Sequence, residues 1–274
     1  MKMFRCGFTK LFVLLVAVFE LQVFAADPPW QRVVVIGASA SAGFVLSEPF
    51  GGTNTARCKL DHYLDAAITA SHAPVKNLAT TLMFLNPGAF GPMQIEAATN
   101  ASPTLVIGVD FLFWFCYGEE STDAGRAQRF ENGLKLLEQI SCPLVVGDIP
   151  DASSATNTGM ISIAQVPSEA ARRAANKRLL EWAAAHPQVT VMPLAEFMRA
   201  TMANQAVIIH GRTVPAGKTR ALLQGDQLHP NPRGAAVLVL KILDALVARH
   251  PEFGAADVRW NSEEVLRLGW QSAN

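Results

Sequence analysis

The stretch VVVIGASASAG, residues 33–43, combines a strand with a turn of small residues and indicates the class of fold. Residues 33–36 form a continuous β-branched run, which is typical of a strand buried on both faces of a parallel sheet. Small residues follow at once, and Ser39 lies among them. Because ligands of open α/β sheets bind at the carboxyl ends of the strands, Ser39 is a candidate exposed nucleophile.

The same turn also fits two roles without a nucleophile. It could be a tight strand-to-helix connection without a function, or a glycine-rich loop that binds phosphate. The GxGxxG and GxxxxGK[ST] spacings of phosphate loops are both absent from residues 33–43. Taken alone, the turn is a weak indication of catalysis.

Strand-like and helix-like segments alternate along the chain, which predicts a three-layer α/β/α sandwich with a mainly parallel five-stranded sheet. The predicted strands are residues 33–36, 75–78, 104–109, 143–146 and 189–192. The predicted helices are residues 57–70, 125–140, 168–185, 194–203 and 232–249. A small β-excursion is expected over residues 207–214, with a turn near Gly211. Without an internal repeat or an obvious linker, residues 27–274 are expected to form a single domain.

The first 26 residues have the pattern of a secretory signal peptide. Three basic residues lie near the start of the chain: Lys2, Arg5 and Lys10. An apolar run over residues 11–18 follows, and small residues end the segment. The run is shorter than the roughly 20 residues that span a bilayer, and Glu20 argues against an uncleaved anchor. We therefore expect cleavage near Ala25/Ala26 and export to the periplasm or the medium, with no stable membrane insertion afterwards.

Composition restricts the partners of the protein. Half of the 274 residues are apolar, and basic and acidic residues are equal in number, at 23 each. A nucleic-acid partner is not expected, because phosphate binding requires a concentrated cationic surface and no segment carries one. The oligomeric state is left open by the sequence.

Cysteine usage gives no metal site. Three cysteines follow the predicted signal: Cys58, Cys116 and Cys142. They lack the spacing of metal ligands, and we interpret them as buried apolar residues of which one pair at most is bonded. No metal or organic cofactor is expected.

The segment GDQLHPNPRG, residues 225–234, is the second candidate for chemistry. An aspartate three residues before a histidine can accept a hydrogen bond from one ring nitrogen, which leaves the other to accept a proton from a serine. Asp226 and His229 have this spacing, directly before the predicted last helix. Asn231 as N-cap and Pro232 in the first turn favour a helix that begins there. A lone Asp-x-x-His could equally be a capped turn with a surface histidine.

Together the two segments resemble the SGNH/GDSL hydrolase superfamily, in which the nucleophile follows the first strand and Asp-x-x-His precedes the last helix. The Gly-Asp-Ser motif of that family is replaced here by Gly37-Ala38-Ser39, and the last motif is intact at Asp226 and His229. The resemblance extends over about residues 32–248. It implies a flavodoxin-like fold and a Ser39, His229, Asp226 triad.

The same resemblance implies a function. It is that of an exported serine esterase acting on a carbohydrate acetyl ester, a lipid ester or a small acyl ester. The alternatives are an acyltransferase with the same triad and a catalytically weak binding protein that keeps the fold.

The oxyanion hole is where the sequence departs from the family pattern. The resemblance implies donors at the Ser39 backbone, at a glycine of a second motif and at an asparagine of a third. The second motif falls near residues 77–82, which contain no glycine, so the backbone N–H of Ala79 or Thr81 is the substitute. Asp110 occupies the place of the asparagine. An ionised carboxylate only accepts hydrogen bonds, so Asp110 must either be protonated and donate, or turn away and bind backbone amides.

Two further features bear on the pocket. The aromatic run over residues 111–115 is interpreted chiefly as core packing beneath the site, with a hydrophobic substrate pocket as the alternative. Loops at the sheet edge carry specificity, and four segments are predicted to shape the pocket. These segments are residues 44–56, 84–92, 117–124 and 151–166.

Overall fold

The computed structural model describes residues 27–273. The predicted signal peptide, residues 1–26, lies outside the described residues.

Seven strands are present in this part of the chain. They are β1 (Val33–Val35), β2 (Lys76–Asn77), β3 (Leu105–Gly108), β4 (Leu144–Gly147), β5 (Val189–Met192), β6 (Val207–Ile209) and β7 (Arg212–Val214). The first five form one sheet in the order β2-β1-β3-β4-β5, and every neighbouring pair in it is parallel. This is the order of flavodoxin-like doubly wound sheets. The predicted three-layer fold with a five-stranded parallel sheet is confirmed.

Nine α-helices accompany the strands within residues 27–273. They are α1 (Thr53–Ala56), α2 (Leu60–Ala67), α3 (Pro87–Asn100), α4 (Phe113–Cys116), α5 (Asp123–Leu137), α6 (Glu169–Ala184), α7 (Leu194–Met202), α8 (Pro232–Arg249) and α9 (Ser262–Ser272). Short 3₁₀ helices lie at Thr81–Phe84, Ser153–Thr158, Ile163–Gln165, Arg220–Leu222 and Ala255–Asp257.

The sheet separates two hydrophobic clusters. Side chains of β1 and of Ile36, which follows it, alternate between the clusters. Val33 and Val35 lie in the cluster that contains α2, α7, α8 and α9, and Val34 and Ile36 lie in the other. The second cluster packs against α3, α4, α5 and α6. Burial on both faces explains why β1 has no polar position, as expected for a central parallel strand.

The largest differences between the sequence-based boundaries and the structure are at α3 and α9, which lie outside every predicted helix. In addition, α1 lies in the predicted loop 44–56, and α2 is shorter than the predicted helix 57–70. Residues 84–92 are predicted as a loop, but α3 begins at Pro87, with the Asn86 side chain accepting a hydrogen bond from Ala89 N–H. The mixed composition of α3, with two glycines and an internal Pro92, hides its helical period. The other large difference is α9, which begins after its N-cap Asn261 and packs on α2 and α8.

The predicted β-excursion is an antiparallel hairpin of β6 and β7. Its turn lies at His210 and Gly211, which have φ values of 46° and 73°. This turn matches the prediction of a turn near Gly211.

All three described cysteines are free thiols, so no disulfide forms among them. Cys58 and Cys116 are buried, and Cys142 is half-buried. Burial raises the pKa of each thiol to about 11, which keeps it in the unreactive protonated form.

Residues 27–273 contain neither a membrane-spanning helix nor a metal-binding cluster. No helix in this range has the length and apolar character needed to cross a bilayer. No group of three or more histidine, cysteine or acidic side chains in the same range is arranged to hold a metal ion.

Candidate active site

Ser39, His229 and Asp226 meet at the carboxyl edge of the sheet. The Oγ of Ser39 lies 2.8 Å from Nε2 of His229, and Nδ1 of His229 lies 2.7 Å from Oδ2 of Asp226. The two segments are separated by 190 residues in sequence. The structure thus brings together the three residues predicted to form the triad.

The hydrogen bonds determine which nitrogen of His229 carries the proton. An ionised carboxylate can only accept, so Nδ1–H donates to Asp226 and the lone pair of Nε2 accepts from the Ser39 hydroxyl. Burial alone would raise the pKa of Asp226, but hydrogen bonds from the His229 ring and from two backbone N–H groups, with the positive charge of the ring in its protonated form, lower it below its usual value. Asp226 therefore stays ionised at neutral pH, and His229 is fixed in the tautomer that a general base requires.

A short turn holds Asp226 and His229 in place. Oδ1 of Asp226 accepts from the backbone N–H groups of Leu228 and His229, each at 3.0 Å. Between them Gln227 adopts a left-handed conformation with φ of 61°. The ring of Phe44 lies over the imidazole, with centroids 4.6 Å apart. The imidazole is thus constrained on two sides, and His229 is only 3% exposed.

Asp110 binds the backbone of the serine turn. Its carboxylate accepts from the N–H groups of Ala38, Ala40 and Ser41 at 2.9–3.1 Å, and from the Ser41 hydroxyl at 2.6 Å. All four of these interactions have the carboxylate as acceptor. Of the two orientations left open by the sequence, the structure shows the one in which Asp110 turns to backbone amides, so it is not placed as an oxyanion donor.

Gly37 allows this close approach. A β-carbon at residue 37 would lie 2.1 Å from Oδ1 of Asp110, and φ is +148°. The side chain of Gln94 on α3 completes the arrangement, since its amide accepts from Gly37 N–H at 2.7 Å and donates to Gly37 C=O at 2.9 Å. The serine turn is therefore held by Asp110, which follows β3, on one side and by Gln94 of α3 on the other.

The predicted oxyanion donors are arranged differently from the expectation. The N–H of Ala79 donates to the Asn77 side chain at 3.0 Å and is not available. Neither Ser39 N–H nor Thr81 N–H donates to any acceptor in residues 27–273, and Thr81 lines the same cleft as Ser39. Thr81 is the alternative to Ala79 that the sequence offers, and its position at the start of a 3₁₀ helix leaves its N–H unused.

Two cavities adjoin the Ser39–His229 pair. The inner cavity extends between the sheet, α7 and α8, and its walls include Phe113 and Leu194. The outer cleft is wider and its walls include Trp114. Within the aromatic run 111–115, Phe113 and Trp114 are buried and also line the two cavities, whereas Phe111, Leu112 and Phe115 are buried in the core alone.

The loops predicted to shape the pocket contribute unequally. Phe44 and Phe50, from the first predicted loop, line the outer cleft, as do Phe84, Met160 and Gln165. No residue of 117–124 lines either cavity adjoining Ser39. That segment is instead bound by Arg126 and Arg129, which donate to its backbone carbonyls.

Sequence reasoning missed Gln94, Ser41 and Asn77. Gln94 is buried at 5% exposure and Ser41 at 0%. The Asn77 side chain donates to Ser41 C=O at 3.0 Å and to Asp61 at 2.7 Å. No clear sequence feature points to Gln94, because a single polar residue in an irregular helix does not indicate which turn it contacts.

The chain has distant structural neighbours among known proteins. No model of a known protein family matches it, and no curated protein matches it significantly. Among solved structures, the chain is similar to a lipase/acylhydrolase from Enterococcus faecalis, at 18% identity and a TM-score of 0.49, over 84% of this chain and 98% of that one. It is also similar to a Bacillus subtilis protein at 16% identity and a TM-score of 0.47, over 80% of this chain and 56% of that one. The geometry of the site is therefore the basis on which a function can be assigned.

Proposed function

We propose that this protein is a serine esterase that works through an acyl-enzyme on Ser39. The observation that supports it best is the unbroken hydrogen-bond chain from Asp226 through His229 to the Ser39 hydroxyl, at 2.7 and 2.8 Å. A serine hydroxyl is a weak nucleophile until an adjacent base takes its proton, and this chain provides both the base and the group that orients it.

The first half-reaction transfers the acyl group to the enzyme. His229 Nε2 takes the proton as Ser39 Oγ attacks the ester carbonyl carbon, and the carbonyl oxygen becomes an oxyanion. The unused N–H groups of Ser39 and Thr81 are the proposed donors to that oxyanion. The bond from carbon to the alcohol oxygen then breaks, and the alcohol leaves with the proton from His229.

The second half-reaction releases the acid. Water attacks the acyl-enzyme while His229 takes its proton, and the returned proton restores the Ser39 hydroxyl. The outer cleft next to Ser39 includes Phe50, which is 91% exposed, so water can reach the acyl-enzyme. This access is what hydrolysis of the acyl-enzyme requires.

Ester hydrolysis by three proteins tests the proposal. We expect the wild type and Ser47→Ala to hydrolyse 1-naphthyl acetate, and Ser39→Ala to lose at least about 10³ of kcat. Ser47 is the control because it is an exposed serine on the following loop. Equal kcat for Ser39→Ala and the wild type would show that Ser39 is not the nucleophile in ester hydrolysis.

Export belongs to the proposal as well. It depends on the basic, apolar and small-residue pattern of residues 1–26. N-terminal sequencing of the protein recovered from its native cell is expected to begin near Ala26 or Asp27. A protein that keeps Met1 or Lys2 would contradict export by cleavage.

A further inference from the structure

The inner cavity is small and has an apolar wall. Its lining side chains include Val109, Phe113, Leu194, Phe197, Met198 and Leu238. Its volume is about 50 Å³, against about 260 Å³ for the outer cleft. A single water requires roughly 10–15 Å³ of such space, so the inner cavity has room for only a few non-hydrogen atoms.

The outer cleft is aromatic and poor in polar groups. Its walls include Phe44, Pro49, Phe50, Leu82, Phe84 and Trp114. Apart from Ser39 and His229, the polar groups of its lining side chains are those of Thr81 and Gln165 and the buried indole N–H of Trp114. No lysine, arginine, aspartate or glutamate lines it. A sugar ring carries a hydroxyl on almost every carbon, and each hydroxyl that is desolvated without a partner costs free energy. The cleft therefore suits an apolar or aromatic group and not a carbohydrate.

The order of the two half-reactions assigns a group to each cavity. The alcohol leaves first and water enters next, while the acyl group stays bonded to Ser39. The alcohol must therefore lie against residues that meet solvent. Phe50 and Phe84 of the outer cleft are 91% and 45% exposed, whereas no residue that lines the inner cavity is exposed. Since the alcohol lies in the outer cleft, the acyl chain lies in the inner cavity, which is lined by residues of the hydrophobic core.

We propose, on the basis of the esterase function above, that the substrates are esters of short aliphatic acids with apolar or aromatic alcohols. The acyl group, of about two to four carbons, occupies the inner cavity. The alcohol lies against Phe44, Phe50, Phe84 and Trp114 in the outer cleft.

The acyl side is tested with a series of 1-naphthyl esters from acetate to dodecanoate. We expect kcat/KM to be highest between acetate and butyrate and to fall at least tenfold by octanoate. Met198→Ala removes bulk from the wall of the inner cavity and is expected to move the optimum to a longer chain. A wild-type optimum at octanoate or beyond would overturn the assignment of the inner cavity, whether or not Met198→Ala folds.

The alcohol side is tested with the acetyl group held constant. We compare 1-naphthyl acetate, ethyl acetate and a mono-O-acetylated methyl xyloside, whose other hydroxyls are free, and expect the naphthyl ester to have the highest kcat/KM. Phe50→Ala is expected to lower the ratio of naphthyl to ethyl kcat/KM by about threefold to tenfold. Leu46→Ala is the matched control, because Leu46 is 64% exposed on the same loop and does not line the cleft.

Different results would contradict the proposed substrate class and the proposed esterase function. Labelling of Ser39 by a fluorophosphonate together with a preference for the acetylated sugar would overturn the substrate class alone. Absence of labelling on the folded protein, with no turnover of any ester, would overturn the esterase function itself.

Discussion

Among the individual residues, Asp226 fixes the proton on one nitrogen of His229. Its two oxygens accept three hydrogen bonds, all from its own turn, at 2.7–3.0 Å. Replacing it with asparagine keeps the shape but supplies a donor, which favours the wrong tautomer of the imidazole. We expect Asp226→Asn to lower kcat by about 10⁴ while the protein stays folded.

Asp244→Asn is the control for this change. Asp244 lies on α8 beside Lys241 and His210, and it lines neither cavity. Steady-state kinetics on 1-naphthyl acetate should show wild-type kcat for this variant. An Asp226→Asn enzyme within tenfold of the wild type would show that the tautomer is set by something else.

Asp110 gives a second prediction for a single residue. It accepts four hydrogen bonds from the serine turn, so Asp110→Asn turns an acceptor oxygen into a donor that faces backbone N–H groups. Leaving buried donors without acceptors costs about 1–3 kcal/mol each. We expect lower stability to urea and lower kcat. A rise in kcat would instead show that an asparagine here donates to the oxyanion.

The role of a single residue can be predicted from sequence when the residues that determine it are close in the chain. Asp226 and His229 lie within one turn, and Ser39 directly follows a β-branched strand. The positions of all three residues can therefore be predicted from short stretches of sequence. The role of Asp110 depends on where β3 ends beside β1, and a sequence cannot show which groups its carboxylate meets. The same limit applies to Ala79, whose N–H is taken by a side chain two residues away.

Among the helices and strands, α3 anchors the serine turn through Gln94. Gln94→Leu would keep most of the packing of the helix but leave the buried Gly37 N–H without its acceptor. We expect a loss of about 1–3 kcal/mol in the free energy of unfolding, measured in urea. Gln128→Leu on the exposed face of α5 is the control and should change it little. Equal stability of both variants would show that Gln94 is not an anchor.

The elements differ in how well sequence predicts them. Four of the five core strands have short, largely apolar runs, and the exception is the short β2, Lys76–Asn77. All five strands lie within about two residues of their predicted positions. The first half of α3 contains two prolines and two glycines and the helix has no clean apolar stripe, so its tertiary contacts decide its structure. α9 has a regular pattern after Asn261, but it lies beyond the last motif and was not predicted.

Across the whole molecule, the order of the strands determines where the site lies, which is between β1 and β3, where the strand order reverses. β2 lies on one side of β1 and β3 on the other, so the loops after β1 and β3 diverge at their carboxyl ends. Ser39 follows β1 and Asp110 follows β3, which places the nucleophile at this topological switch point. The prediction of a parallel sheet was enough to place Ser39 at an edge, but strand order comes only from the structure.

Asp226 also links the site to the pH dependence of stability. Its folded pKa lies below the ordinary value of 3.8, so ionisation favours the folded state. That contribution is complete above the unfolded pKa and is lost as the pH falls through 3.8 toward the folded value. We therefore expect the Tm difference between wild type and Asp226→Asn to shrink from pH 6 to pH 3. A difference that stays constant or grows on acidification would contradict the lowered pKa.

Every step of the proposed chemistry requires Ser39 to be an activated nucleophile, and covalent labelling detects that property itself. The wild type, Ser39→Ala and Ser41→Ala are treated with a fluorophosphonate and measured by intact mass and peptide mapping. Ser41 is the informative neighbour, since its hydroxyl is bound to Asp110 and fully buried. We expect one adduct per chain on Ser39 in the wild type and none on Ser39→Ala. An adduct that persists in Ser39→Ala, or no adduct on folded wild type, would show that Ser39 is not the nucleophile.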